Sequence, residues 1–263
     1  MTDQDKPYVR YEVSGGAATI TLDSPPHNRN AISTRLVTEL QAGLTSAAAD
    51  PAVRAVVLTH TGGTFCAGAD LSEASGSSAS PEDAVKERGR GMLTLLRSIL
   101  ELPKPVIGRI DGHVRAGGMG LVGGACDIVV AGPASTFAVT ESRLGLAASI
   151  ISLTVLPRLD QRSASRYLLT GEKFGQHEAE SIGLVTSASQ DTEESITELL
   201  GTLRQCSPQG LAESKWITTR SVLAGFDRDG EEMIAQSARL FSSDEAREGM
   251  MSFLQKRPAA WAQ

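Results

Sequence analysis

Positive charge is not in excess in this chain. Lysine and arginine number 25 against 31 aspartates and glutamates, which leaves a formal charge of −6. The pI lies near 5.3, and nucleic acid as the main partner would want a basic face instead. Cysteine is scarce as well: Cys66, Cys126 and Cys206 cannot all pair within one chain. No C-x-x-C spacing points to zinc, so free thiols in a reducing cytoplasm are the simple reading. His27, His60, His113 and His177 are scattered without metal-ligand spacing, so no metal is expected. No apolar segment follows the polar N-terminus Met1–Lys6, and no signal peptide is visible. The longest apolar run, Gly145 to Leu156, is too short and too rich in small and hydroxyl residues to span a bilayer. These absences predict a cytoplasmic protein with neither membrane nor nucleic acid as partner. At 263 residues an α/β core plus an appendage is the natural division.

What the chain does have is glycine, gathered at two corners. The β-branched run Val106 to Ile110 reads as a buried strand that empties into Asp111-Gly112-His113-Val114-Arg115-Ala116-Gly117-Gly118. A helix of very small residues is predicted from Gly117 to Ala125. Glycines at a helix mouth leave backbone N–H groups unshielded, and the helix dipole adds to their attraction for negative charge. The second corner, Thr61-Gly62-Gly63-Thr64-Phe65-Cys66-Ala67-Gly68-Ala69-Asp70-Leu71, follows another strand, Ala55 to Thr59. Two such corners could aim two N–H groups at one oxygen, as an oxyanion hole does.

Around them the pattern alternates. Tyr8–Val13 and Ala17–Leu22 flank Ser14-Gly15-Gly16 as a hairpin. Ser33 or Thr34 caps a helix bearing Leu36, Val37, Leu40 and Leu44. Ser72 to Pro81 reads as a surface loop, with a lid over a pocket as the alternative. A helix with Met92, Leu95, Leu96 and Ile99 on one face is closed by Pro103. Strands are predicted at Asp127–Ala131, Thr136–Val139 and Gly183–Val185, and helices at Ile150–Leu156, Ser163–Leu169 and Gly175–Ser181. From Thr192 onward the chain reads as helical, with Trp216 and Trp261 packing those helices. The division is therefore a core over 1–191 and a helical region over 192–263. Gly118-Met119-Gly120-Leu121-Val122-Gly123 also satisfies G-x-G-x-x-G, but it opens no chain-initial βαβ unit and lacks the distal acidic residue, so a dinucleotide site does not follow.

Taken together, the corners resemble the enoyl-CoA hydratase/isomerase (crotonase) superfamily. Phe65 to Leu71 is similar to its F-x-A-G-x-D-L motif, and Asp111 to Gly118 to N-G-x-x-x-G-G-G. Cys126-Asp127-Ile128 matches the C-D-x that follows, and Phe137 to Gly145 resembles F-x-x-x-E-x-x-x-G. The resemblance covers essentially the whole chain. It implies a spiral of ββα units with a C-terminal helical trimerisation region, as trimers often paired into hexamers. It also implies an acyl-CoA thioester substrate, with no cofactor beyond the coenzyme A of that substrate. Carried over by position, the N–H groups of Ala67 and Gly117 would hold the thioester oxygen. Arg29, Ala67, Gly68, Ala69, Asp70, Leu71 and Gly117 would line the coenzyme A, with Phe253 and Lys256 near the nucleotide phosphates.

The chain departs from the two-glutamate hydratases at one place. Where those carry a first glutamate, three residues after the hole's glycine, this chain has Gly120. The second position is Glu141, intact. One carboxylate serves either of two reactions. It can deprotonate water for addition to a 2-enoyl-CoA, or carry a proton between the α- and γ-carbons of an enoyl-CoA. Hydration leads, since Thr140 to Leu146 is similar to single-glutamate hydratases. Isomerisation and acyl-CoA binding without turnover are the alternatives.

Overall fold

The computed structural model describes residues 6–70, 73 and 81–262. The hairpin forms as β1 (Val9–Ser14) and β2 (Ala17–Leu22), antiparallel in register from Val9–Leu22 to Ser14–Ala17. Gly15 and Gly16 turn the chain with φ of 55° and 78°, a region glycine enters without a Cβ penalty. Ser33 then caps α1 (Thr34–Ala49) by accepting the Leu36 N–H. The strands β3 (Ala55–His60), β5 (Val106–Ile110), β7 (Ile128–Ala131) and the two-residue β10 (Ser187–Ala188) add in parallel and give a six-stranded sheet of order β1-β2-β3-β5-β7-β10.

A second, smaller sheet determines where the glycine corners lie. Its members β4 (Thr64–Cys66), β6 (His113–Arg115), β8 (Thr136–Ala138) and β9 (Phe174–Gly175) stand in that order, the first three parallel. Strands of two or three residues complete barely one alternation, and only β8 is expected from the sequence, as Thr136–Val139. Their inward side chains, Phe65, Val114 and Phe137, are fully buried.

Helices close the molecule. α2 (Pro81–Glu101) presents Leu95, Leu96 and Ile99 to the core. α3 (Ser149–Val155), α4 (Gln161–Thr170) and α5 (Gln176–Ser181) follow, then α6 (Thr192–Arg204), α7 (Pro208–Phe241) and α8 (Asp244–Leu254). α7 lies along α2 and α3, fastened by a buried ion pair: Lys215 Nζ stands 2.7 Å from Asp127 Oδ2. The result is a mixed α/β core with parallel sheets and a C-terminal helical region.

Three expectations are corrected. Gly183–Val185 is a turn rather than a strand, because Gly183 takes φ 84° and its neighbours bond back to α5; the last strand is Ser187–Ala188. The stretch after Gly117 is helical, but over Met119–Ala125 it widens to a π-helix. Trp216 and Trp261 are not buried among the C-terminal helices but only partly covered within this chain, at 56% and 47% exposed. The loop over Ser72 to Pro81 lies outside the described residues, save Glu73 and the backbone of Pro81. Among the described residues no helix is long and apolar enough to cross a membrane, and no group of His, Cys, Asp or Glu is placed to hold a metal.

Candidate active site

Parallel neighbours leave a sheet at the same end. β4 runs into Ala67-Gly68 and β6 into Ala116-Gly117, so the register Cys66–Val114 sets the two glycine corners side by side. The approach is close. A Cβ added at Gly118 would lie 2.6 Å from Cys66 Cβ, and one at Gly68 would lie 3.1 Å from Ala116 Cβ. Gly68 also takes φ 99°, and Ala116 is held at φ 48°. These glycines are required by backbone proximity, not by turn geometry alone. Cys66 ties the corners together, since its sulfur accepts the Gly68 N–H at 3.4 Å and the Gly118 N–H as well. Burial pushes this thiol up to about 12, so it stays uncharged and unreactive.

The donors themselves differ. Gly117 N–H has no partner outside its own helical turn among the described residues. Ala67 N–H is engaged: it donates to the Arg29 carbonyl at 3.2 Å, the long end of the N–H···O range. That carbonyl is presented by two successive left-handed residues, Arg29 and Asn30, at φ 52° and 53°. Asn30 holds the turn, taking the Ser24 N–H at 2.9 Å and donating to the Thr64 carbonyl at 2.9 Å. Ala69 bridges Ile32, and Asp70 accepts the Asn28 side-chain amide at 2.9 Å. The Arg29 loop therefore lies along the first corner. Leu71 lies outside the described residues.

Glu141 is delivered by the neighbouring strand. The Ala116 N–H donates to the Ala138 carbonyl at 3.1 Å, which pins the second corner to β8, and Glu141 opens a 3₁₀ turn three residues on. Gly145 ends that turn at φ 70°, and a Cβ there would strike the Glu245 backbone at 2.7 Å, so α8 packs directly on it. The residue is half-buried, but its Oε2 is sealed from solvent and has no hydrogen-bond partner. Burial raises its pKa from 4.5 to about 7, against smaller lowering contributions from the backbone N–H groups of Glu141 and Thr140. A carboxyl with one buried, unpartnered oxygen and a pKa raised toward neutrality suits a general base.

Three other side chains that could supply a proton are engaged elsewhere. Glu73 caps α1, accepting from Thr34 N at 3.0 Å. Arg143 donates to the Thr170 carbonyl at 2.7 Å, and His113 pairs with Thr136 Oγ1 at 2.8 Å. At Gly120 a Cβ would lie 2.6 Å from Ile151 Cγ2 and 2.9 Å from Ile151 Cβ. The first glutamate's position is thus closed by an aliphatic side chain, and sequence order gave no sign of Ile151. The whole stretch Met119–Ala125 is buried, so its G-x-G-x-x-G spacing serves helix packing and reaches no phosphate. Phe253 is 60% exposed, and no hydrogen bond or ion pair joins Phe253 or Lys256 to either corner among the described residues.

The core therefore sets two glycine corners side by side and carries Glu141, with its buried Oε2, on the turn after the neighbouring strand. The family model for enoyl-CoA hydratase/isomerase matches residues 12–263, and the chain belongs to that family. It is similar in structure to an enoyl-CoA hydratase from Mycobacterium avium, with TM-score 0.90 and 55% identity over 97% of this chain and 99% of that one. It is 31% identical over 258 residues to the enoyl-CoA hydratase ACTT6 of Alternaria alternata, covering 96% of this chain and 84% of the relative. It is 29% identical over 255 residues to the carnitinyl-CoA dehydratase of Proteus mirabilis, covering 94% and 95%.

Proposed function

We propose that this protein is an enoyl-CoA hydratase that adds water across the 2,3 double bond of an enoyl-CoA thioester, with Glu141 as its single base. The observation that carries this is the Glu141 carboxyl on the turn after β8, whose buried Oε2 has no hydrogen-bond partner and whose pKa burial raises to about 7. Gly117 and Ala67 donate N–H groups to the thioester oxygen, and the Ala67 donor is shared with, or taken from, the Arg29 carbonyl. The charge that develops there as an enolate is held without solvent rearrangement, and one such donor contributes about 3–4 kcal/mol. Glu141 takes a proton from the attacking water, and the same carboxyl or that water returns one to the α-carbon. Arg29, Gly68, Ala69, Asp70 and Leu71 line the coenzyme A, with Phe253 and Lys256 contributed from the tail. The working assembly is a trimer or a pair of trimers, and the compartment is the cytoplasm.

A specific observation favours a second reading. Ile151 covers the side where a second carboxylate would hold water, which suits a proton carried by Glu141 between α- and γ-carbons. Both readings meet one experiment: the conjugated enoyl absorbance of crotonyl-CoA followed with the wild type and with Glu141→Gln. Loss of absorbance abolished by the substitution supports hydration. An idle wild type that converts a 3-enoyl-CoA through Glu141 supports isomerisation. Activity in neither, with crotonyl-CoA still bound, leaves a binding protein.

A further inference from the structure

The two glycine corners are aligned by a short and irregular ladder. β4 and β6 pair through Thr64–His113 and Cys66–Val114, so two steps along β4 answer one along β6. Phe65 is the extra residue, a β-bulge. A three-residue pair with a bulge specifies its own register weakly, and a slip of one residue would carry Ala67 past Gly117. The register needs a hold from outside the ladder.

His60 is placed to supply it. It ends β3 and stands where both segments leave the large sheet, Thr61-Gly62-Gly63 toward β4 and Asp111-Gly112 toward β6. On the β6 side its Nε2 accepts the Asp111 N–H at 3.1 Å. Gly112 presses on the same ring: a Cβ there would lie 2.8 Å from His60 Cε1 and from the Gly63 carbonyl. On the β4 side the ring meets Phe65 edge-on, with centroids 5.6 Å apart and planes at 81°. One imidazole therefore touches the bulged residue of β4 and the backbone that leads into β6. The Asp111 carboxylate is turned elsewhere, to the Ala134 N–H at 2.8 Å.

These bonds require one protonation state. Nδ1 lies 3.3 Å from the Thr61 carbonyl, which can only accept, so Nδ1 carries the proton and Nε2 is bare. A second proton, on Nε2, would face the Asp111 N–H donor to donor. Burial holds the ring's pKa below its ordinary 6.5; Arg109 adds to the lowering, while the Thr61 and Gly62 backbone and Asp111 act against it. Folding thus favours the neutral ring, and this arrangement loses stability as pH falls below 6.5. Protons reach the ring, because His60 lines a cleft of about 400 Å³ with Arg109, Asp111, Asp191 and Glu193. Arg109 is paired there with Glu193 at 2.7 Å.

We propose that His60 is a positioning residue: its neutral ring pins the register of β4 against β6, and so the spacing of the Ala67 and Gly117 N–H groups, and protonation withdraws the pin. The consequence for turnover rests on the acyl-CoA reading above, and the consequence for the corners does not.

Cys66 reports on the corners, since it is buried between them, and Cys126, buried at the end of the π-helix, is the internal control. Both thiols are pushed up to about 12, so pH acts on their reactivity alike. The full-length protein is labelled with dithiodipyridine, which also reacts in acid, and mass spectrometry gives the ratio of the Cys66 rate to the Cys126 rate. His60→Leu keeps bulk and removes the acceptor, so it should raise the ratio roughly tenfold, the local opening gained by losing one hydrogen bond. His60→Gln, whose amide oxygen can take the Asp111 N–H, should restore it. The wild-type ratio should climb as pH is lowered from 8 to 5, and the His60→Gln ratio should stay level. With crotonyl-CoA, His60→Leu should lower kcat roughly tenfold or more with KM less affected, and His60→Gln should recover kcat. A purely structural histidine would speed both cysteines equally, and that outcome overturns the proposal. So does a His60→Gln ratio that follows pH as the wild type does, or a raised ratio in His60→Leu with kcat unchanged. Should His60→Leu fail to fold, the comparison of wild type with His60→Gln across pH carries the test. If the wild type turns over no enoyl-CoA, the acyl-CoA reading fails, and the labelling ratios alone decide whether the pin exists.

Discussion

The carboxyl of Glu141 has two measurable consequences, one for rate and one for stability. As a base it works ionised, so kcat/KM should fall about tenfold per pH unit below its pKa near 7 and level off above it. A pH–rate profile flat from 5 to 8 would count against it as the titrating base. On the stability side, folding raises the pKa from 4.5 to about 7, so the folded state holds the proton more tightly than the unfolded chain. The destabilisation is absent below the lower value, grows as pH rises between the two, and is complete above the higher one. At about 1.36 kcal/mol per unit it reaches roughly 3 kcal/mol as an upper limit. Glu141→Gln should therefore be more stable than wild type in urea at pH 8, by up to that amount, with the gain vanishing near pH 4. At the same scale, iodoacetamide should label native protein at exposed Cys206 and spare Cys66 and Cys126, both buried and pushed up to about 12. Mass spectrometry of the labelled peptides reads this directly. Glu141 and the corner residues were legible because their chemistry is local to a motif. The Arg29 carbonyl on Ala67 was not, since a backbone acceptor carries no residue signature.

At the scale of elements, the π-helix and α3 meet through positions that have no side chain. Gly120 faces Ile151, and the Gly120 carbonyl accepts from Thr154 Oγ1 at 3.2 Å. Glycine here permits close packing, which the motif comparison alone presents as a lost acid. Gly120→Ala should cost about 1–3 kcal/mol through overpacking. Ile151→Ala should cost about 2–5 kcal/mol through its cavity. Together they should cost clearly less than their sum, because the added methyl enters the space that the isoleucine vacates. Urea denaturation of the four proteins closes that cycle, and simple additivity would mean the two side chains do not meet. Gly120→Glu should give no gain in turnover, since the carboxylate has nowhere to stand. The long strands and helices followed from hydrophobic periodicity. Of the small sheet only β8 was legible, as Thr136–Val139, and the helix after Gly117 was legible but not its π form, because three-residue strands and a widened helical turn leave little pattern in sequence.

The whole molecule is bound together by contacts far apart in the chain, and α7 is where they concentrate. Lys215 reaches the core through Asp127, and its Nζ also donates to the Ile99 carbonyl at 2.7 Å. Asp127 in turn accepts the Val106 N–H at 2.7 Å. Removing one member of a buried pair strands the other, so Lys215→Met should cost about 3–5 kcal/mol in urea. A cost under about 1 kcal/mol would show that the site relaxes around Asp127. The neighbouring residues turn the other way. Trp216 and Ile217 are 56% and 58% exposed, and Phe253, Leu254 and Trp261 add apolar surface on the C-terminal region. A lone protomer gains nothing by presenting these side chains to water, whereas an interface between copies buries them. This is the physical content of the trimer proposed above, which would cover the two half-exposed tryptophans. Sedimentation velocity should give a particle of three or six times the 27.7 kDa chain mass. Trp216→Glu with Ile217→Glu should shift it toward a single protomer while leaving the far-ultraviolet spectrum intact, because neither side chain supports the protomer's own core. A wild type that sediments at 27.7 kDa would leave that apolar surface unassigned and remove the trimer from the proposal.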